Sequence, residues 1–241
     1  MTIPWLFDNQ PLPEPATANE DGIVAVGGDL TVQRLREAYG KGIFPWPHED
    51  LPMLWFSPDP RFVIHLNKPM APKSLLKKLK STPLRISMDT QFESVVRRCA
   101  TVPRPDQNGT WITQDILDAY LELHQDGFAH SVEAWDGNDL VGGLYGVSLG
   151  GCFFGESMFA LQPEASKIAF ATFIAQLAQW DFHLIDCQIH TDHLSRFGGE
   201  FMPRPEYCDA IKTSQAQKRT RQGKWDMSTH PLDAYKYFKA L

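Results

Sequence analysis

The stretch from His130 to Ile189 most narrows what this chain can fold into. His130 to Trp135 reads as a strand, Asp136-Gly137-Asn138 as a tight turn, and Leu140 to Leu149 as the returning strand. Gly150-Gly151 turns the chain into a third strand, Cys152 to Phe159. After Pro163, the run Ala165 to Trp180 puts Ile168, Ala171, Ala175 and Ala178 on one helical face. His183 to Ile189 reads as a fourth strand. Three antiparallel strands, a helix and a strand predict an α+β unit with a mixed, largely antiparallel sheet.

Two pieces of this unit carry chemistry as well as fold. Gly142-Gly143-Leu144-Tyr145-Gly146 leads into Phe153-Phe154-Gly155-Glu156-Ser157-Met158-Phe159, and Asp186-Cys187-Gln188 lies on the last strand. Each sets polar groups among large apolar ones, as expected where a hydrophobic group is recognised beside a proton transfer. In an extended strand Asp186 and Gln188 share a face.

The remaining chain is organised around this unit. Residues 1 to about 60 are rich in Pro, Gly and Trp and hold one clear helix, capped by Thr31, burying Leu35, Ala38 and Tyr39, and stopped by Gly40 or Gly42. A basic amphipathic helix spans residues 71 to 80, and Thr90 with Glu93 has capping-box spacing for another. Residues 101 to 109 form a loop, and Thr113 caps a helix closed at Gly127. The division expected is a small N-terminal α/β domain, residues 1–62, and a larger domain, 63–241. Pro203 to Leu241 reads as a mixed tail.

Charge is unevenly spread. The chain of 241 residues has a formal net charge of -6, yet Arg61 to Arg104 holds ten basic residues against Asp89 and Glu93. A second run, Lys212, Lys218, Arg219, Arg221 and Lys224, contains no acid. Concentrated this way, positive charge steers a polyanion onto one face or simply solvates helix surface. The four cysteines lack C-x-x-C spacing, which fits reduced thiols in a cytoplasm. The start Met1-Thr2-Ile3-Pro4-Trp5 lacks signal-peptide character, and no apolar run is long enough to span a membrane.

Several familiar sites are not supported. Gly155-Glu156-Ser157-Met158-Phe159 has Phe where a nucleophile elbow needs Gly, so Ser157 is a poor nucleophile. The glycines from 142 to 151 lack the Gly-Lys-Ser/Thr ending of a phosphate loop. His183, Asp186, Cys187, His190, Asp192 and His193 suggest a metal, but strand alternation splits them between faces and no His-Glu-x-x-His pair accompanies them. The strand and helix order resembles the GNAT acyltransferase fold. A coenzyme A site there needs a glycine-rich turn opening a helix, whereas Leu161-Gln162-Pro163-Glu164 has no glycine and an acid.

Six motifs in order carry a more specific resemblance. They are Gly42-Ile43-Phe44-Pro45-Trp46, Trp55-Phe56-Ser57-Pro58-Asp59-Pro60-Arg61, Gly109-Thr110-Trp111-Ile112-Thr113, Gly142-Gly143-Leu144-Tyr145-Gly146-Val147, Gly155-Glu156-Ser157-Met158-Phe159 and Ile185-Asp186-Cys187-Gln188. Together they resemble the bacterial leucyl/phenylalanyl-tRNA–protein transferase family over residues 22 to 207. The resemblance implies a GNAT-like catalytic domain that moves Leu or Phe, and less well Met, from aminoacyl-tRNA to the N-terminal Arg or Lys of an acceptor protein. The new peptide bond marks that protein for degradation. The ester is already activated, so neither cofactor nor metal is implied. A monomer in the cytoplasm is the expectation, with no membrane partner.

Site roles follow from the same resemblance. Gln188 contacts the reacting amine and Asp186 polarises or orients it, although a neutral amide is a weak base. The proton acceptor stays open between Asp186 through a relay, water and the tRNA. Glu156 holds the donor's ammonium or the acceptor's basic group, or else pairs with a structural Arg. Leu144, Phe153, Met158, Phe173, Leu177 and Ile185 line the side-chain pocket or form ordinary core. Trp46, Trp111 and Tyr120 meet the tRNA's terminal adenosine, or pack. Lys68, Lys73, Lys77, Lys78, Lys80 and Arg85 fit the tRNA backbone. Two other classes remain open: a small-molecule N-acyltransferase and a noncatalytic tRNA-binding module.

Overall fold

Helix α1 (Val32–Lys41) begins where the Thr31 hydroxyl accepts the Arg34 N–H and ends at Gly42, whose φ of 77° is the left-handed value a helix stop favours. A side chain at Gly42 would also lie 2.7 Å from the Tyr207 ring, so glycine lets the two segments touch. The computed structural model describes residues 3–8, 10–48, 51–103 and 110–241. Gly109 and Arg104 therefore lie outside the described residues, as does most of the loop expected over 101–109.

Two sheets organise the described chain. Strands β1 (Trp5–Leu6), β2 (Ile23–Gly27), β3 (Phe44–Pro45) and β4 (Leu54–Phe56) form a four-stranded sheet in the order β1-β2-β4-β3. The second sheet has seven strands: β5 (Arg61–His65), β6 (Arg85–Met88), β7 (Ala129–Asp136), β8 (Asp139–Leu149), β9 (Cys152–Ala160), β10 (Leu184–Asp186) and β11 (Glu200–Met202). Their order is β11-β5-β10-β9-β8-β7-β6. Only β9 and β10 run parallel in it; the other pairs are antiparallel, as the mixed pattern predicts.

Each face of the large sheet is covered by helices. Alongside α1, helices α3 (Phe92–Thr101) and α4 (Gln114–Gln125) share one apolar core with the four-stranded sheet and with Tyr145, Val147 and Phe154. On the other face lie α2 (Lys73–Ser81), α5 (Ala165–Gln179) and α8 (Pro231–Ala240), packed on Leu144, Phe153 and Ile185. Helices α6 (Asp192–Ser195) and α7 (Arg204–Gln217) complete the fold.

Two local expectations are corrected. The fourth strand ends at Asp186 instead of continuing to Ile189, because Gln188 turns to a φ of 63°. The capping box at Thr90 does not form: α3 is capped from Gln91 without a side-chain bond, and Glu93 pairs with Arg97 instead. The physical reason is the buried Glu133, whose carboxylate already accepts the Thr90 hydroxyl at 2.9 Å and the backbone N–H groups of Thr90 and Gln91.

Candidate active site

The site begins with a parting of strands. β10 pairs with β9 only from Cys152 to Phe154, after which β9 runs on against β8 alone. Backbone that would have paired is replaced by an opening, and a cavity of about 600 Å³ occupies it. Leu144, Phe153, Met158, Phe170 and Ile185 supply its apolar wall, Trp46 and Trp111 stand on it, and Glu156, Asp186 and Gln188 are its polar groups.

A bulge aims these groups. Tyr145 pairs with Ser157 and Gly146 with Gly155, so Glu156 is the extra residue on β9. Strict alternation would put Phe153 and Met158, five residues apart, on opposite faces. The bulge reverses the alternation, and both reach the same core. Opposite it only glycine fits, since a Cβ on Gly146 would lie 2.1 Å from the Phe154 carbonyl oxygen.

Glu156 is held by neutral donors. Its Oε1 accepts from the Tyr39 hydroxyl and from Gln188 Nε2, both at 2.8 Å, and its Oε2 from the Tyr120 hydroxyl at 3.0 Å. The two tyrosine hydroxyls also bond to each other. Burial pushes the Glu156 carboxyl up to about 7, against the opposing pull of the tyrosine hydrogen bonds, with Asp186 adding to the rise. Burial beside this carboxyl likewise raises both tyrosines well above their ordinary value.

Asp186 is held by a cation. Arg61 donates from Nε at 2.8 Å and from Nη2 at 2.7 Å, a two-pronged pair with both residues at or near zero exposure. Tyr207 donates to the same carboxylate at 2.6 Å, and the Gln188 backbone N–H at 2.8 Å. Rings of Phe44 and Tyr207 each lie 4.6 Å from the Arg61 guanidinium. Burial opposes the Arg61 charge, but Asp186 and Tyr207 outweigh it and raise its pKa. The left-handed Gln188 backbone costs on the order of 1–3 kcal/mol, offset here by its bond to Asp186.

The cavity collects some of the expected residues and leaves others out. Leu144, Phe153, Met158, Ile185, Trp46 and Trp111 are wall residues. Phe173 and Leu177 are fully buried behind it, with Phe173 packed edge-to-face on Phe153 at 4.6 Å, because their turns of α5 face the core centre. Tyr120 is fully buried too, its hydroxyl donates to Glu156, and it is not among the wall residues. Gln188 and Asp186 do not share a strand face, yet an Asx-type backbone bond keeps them together. Lys68, Lys73, Lys77, Lys78, Lys80 and Arg85 are exposed along α2 and its flanks, away from the wall. Lys68 pairs with Glu200, and Arg85 lies over Trp135.

Three residues that hold the carboxylates are absent from the sequence-derived site. Tyr39 reads there as helix core, Arg61 as part of a basic stretch, and Tyr207 as the edge of the resemblance. Arg61 carries a signal: a charge heading the apolar run Phe62-Val63-Ile64 needs a buried acid. Among the described residues no three His, Cys, Asp or Glu side chains gather as metal ligands. Cys187 also lines the cavity, but burial and Asp186 push its thiol well up, away from the reactive thiolate.

An apolar cavity with tryptophans on its wall and a positioned carboxylate–amide couple has the character of a transferase site that takes a ligand with an apolar group. Comparison places it further. The family model for leucyl/phenylalanyl-tRNA protein transferase matches residues 63–212, and that family's N-terminal domain model matches residues 28–59. The chain belongs to this family of aminoacyltransferases. Proteins named leucyl/phenylalanyl-tRNA–protein transferase are 52% identical over 89% of this chain in Anaeromyxobacter sp. (strain Fw109-5) and 51% over 93% in Myxococcus xanthus. The matches cover 91% and 97% of those proteins. A Hydrogenovibrio crunogenus relative is 45% identical over 93% of this chain and 89% of its own length.

Proposed function

We propose that this chain moves Leu or Phe, and Met less well, from aminoacyl-tRNA to the N-terminal Arg or Lys of acceptor proteins, creating a degradation signal in the cytoplasm. One observation carries this reading: Gln188 Nε2 is pinned to Glu156 at the rim of the apolar cavity. That bond leaves the Gln188 side-chain oxygen to accept from an incoming α-amine. The donor's side chain enters among Leu144, Phe153, Met158 and Ile185, where the soft Met158 adapts to Leu, Met or Phe. The terminal adenosine stacks on Trp46 or Trp111, worth about 1–3 kcal/mol. Exposed lysines of α2, with Lys68 and Arg85, take the phosphates, and residues 1–62 act as a small domain contributing Tyr39, Phe44 and Trp46.

In the reaction the acceptor nitrogen bonds the ester carbonyl carbon, the ester C–O bond breaks, and the amine's proton ends on the departing ribose oxygen, directly or through water. Asp186 is a positioning residue: both its oxygens already accept from Arg61, with Gln188 N–H and Tyr207 as further donors. Glu156 fixes the amide and tunes the charge beside the amine. The chain needs no cofactor or metal for this step and works as a monomer.

The test is transfer of labelled leucine from leucyl-tRNA to peptides beginning with Arg, Lys or Ala, with a chelator present. Transfer to Arg and Lys but not Ala is expected. Salt-sensitive tRNA binding without transfer would overturn the reading in favour of a binding module.

A further inference from the structure

The second basic run has no part in the cavity, yet the fold immobilises it. After α7, residues 218–224 form an irregular strap across the β8–β9 turn, where Gly150 N–H donates to Thr220 Oγ1 at 2.9 Å and Gly151 N–H to Ser214 Oγ at 2.8 Å. Trp225 anchors its far end. The indole is fully buried and stacked on His130 at 3.6 Å, its backbone N–H donates to Asp89 at 2.7 Å, and its ring N–H to the Arg221 carbonyl at 2.9 Å.

The strap's cations fall into two kinds. Lys218 is turned inward, its ammonium bonded to the Trp180 carbonyl at the end of α5. The others face water. The Arg221 guanidinium lies over the Trp180 ring, 4.1 Å from its centre, and Trp180 in turn packs edge-on against Trp225 at 5.1 Å. A guanidinium resting on an aromatic face this way can still offer N–H donors to a phosphate. Arg219 and Lys224 are exposed, as is Lys212 on α7. Among the described residues none of these four has an ion-pair partner, unlike Lys41, Lys68, Arg97 and Lys167 elsewhere on the surface. Asp181 and Asp226 are the acids flanking the strap, so an excess of positive charge remains.

We propose that this strap, with Lys212, is a second phosphate-backbone contact for the tRNA, distinct from the lysines of α2; the inference rests on the aminoacyl-tRNA reading above. The strap meets the sheet at the β8–β9 turn, the end of β9 away from Glu156. From Cys152 to Glu156 is four steps along β9, roughly 13 Å at strand rise. A donor reduced to its terminal nucleotides occupies the cavity alone, whereas a folded polynucleotide reaches both. Cations held in place by Trp225 lose less freedom on binding than a loose tail would.

The experiment compares Arg219→Glu with Lys224→Glu, as a double variant, against the unsubstituted protein on two donors. One is full-length leucyl-tRNA and the other a leucylated trinucleotide of the tRNA's 3' end. The KM ratio of full-length to trinucleotide donor should rise about ten-fold, and the slope of log affinity against log salt for the full-length tRNA should fall in magnitude by about 1.5, as for two lost phosphate contacts. The glutamine double variant loses the same two contacts without adding repulsion, so its salt slope should fall equally while its KM ratio rises less. Equal effects on both donors, or none on either, would overturn the proposal. Should the unsubstituted protein transfer nothing, the aminoacyl-transfer reading fails, and filter retention of tRNA by the same variants decides the strap: unchanged retention rejects it. Loss of polyglutamate binding with tRNA retention intact would likewise reject it, assigning the strap to an acidic protein.

Discussion

Glu156 and Asp186 stand on the two strands that part to open the cavity, and they are held in opposite ways. Asp186, at the end of β10, is matched by a buried guanidinium sandwiched between two rings. Glu156, on the bulge of β9, has two phenols and an amide and, among the described residues, no cation. The first arrangement spends a full charge on rigidity, and the second leaves a carboxyl that changes state near neutral pH. Gln188 bridges them, by its backbone to one and its side chain to the other. On the proposed reading, the incoming amine meets one fixed wall and one adjustable wall.

The strongest way to break this contrast is Arg61→Ala. It strands Asp186 as an unpaired buried charge, and denaturant unfolding should show a loss of about 3–5 kcal/mol with transfer abolished. A loss under 1 kcal/mol would mean that the pair is not the fixed wall. Next in size is Gln188→Ala, which keeps both carboxylates but removes the bridge. Its kcat should fall roughly 10²-fold with little change in KM for the tRNA, as read by single-turnover kinetics.

Smaller effects sharpen the adjustable side. Tyr120→Phe removes a hydrogen bond that lowers the Glu156 pKa, so the acid limb of the pH–rate profile should move upward, with a cost of about 1 kcal/mol in stability. An unmoved limb would separate Glu156 from catalysis. A last effect concerns stability alone. Glu156 is raised from 4.5 to about 7 in the folded state, so the native protein binds more protons than the unfolded chain across that window. Its contribution is full below pH 4.5 and is lost as pH rises through 7. Glu156→Gln should flatten that slope in melting curves taken across the same range.

Much of this was readable from the residues because strands and turns leave local marks. Asp136-Gly137-Asn138, Gly150-Gly151 and the apolar run after Pro163 locate β7, β8, β9 and α5. Glu156, Asp186 and Gln188 stood out as polar groups in apolar strands. What stayed hidden depends on contacts distant in sequence. Arg61 meets Asp186 across 125 residues and Tyr39 meets Glu156 across 117, and no periodicity reports such meetings. The same limit explains Phe173, Leu177 and Tyr120. Their helical register correctly turns them inward, but register does not tell a cavity wall from the layer behind it. Thr90 failed as a cap because Glu133, from another strand, satisfied that helix start first.

The anchoring of Trp225 also sets a timetable. Its ring closes against His130, Phe153, Phe173, Trp180 and Phe182, side chains made long before it. During synthesis the half-core under α5 therefore keeps its apolar slot open until Trp225 has been made. A chain cut short before Trp225 would keep every polar residue of the cavity's rim and leave this interior unsealed.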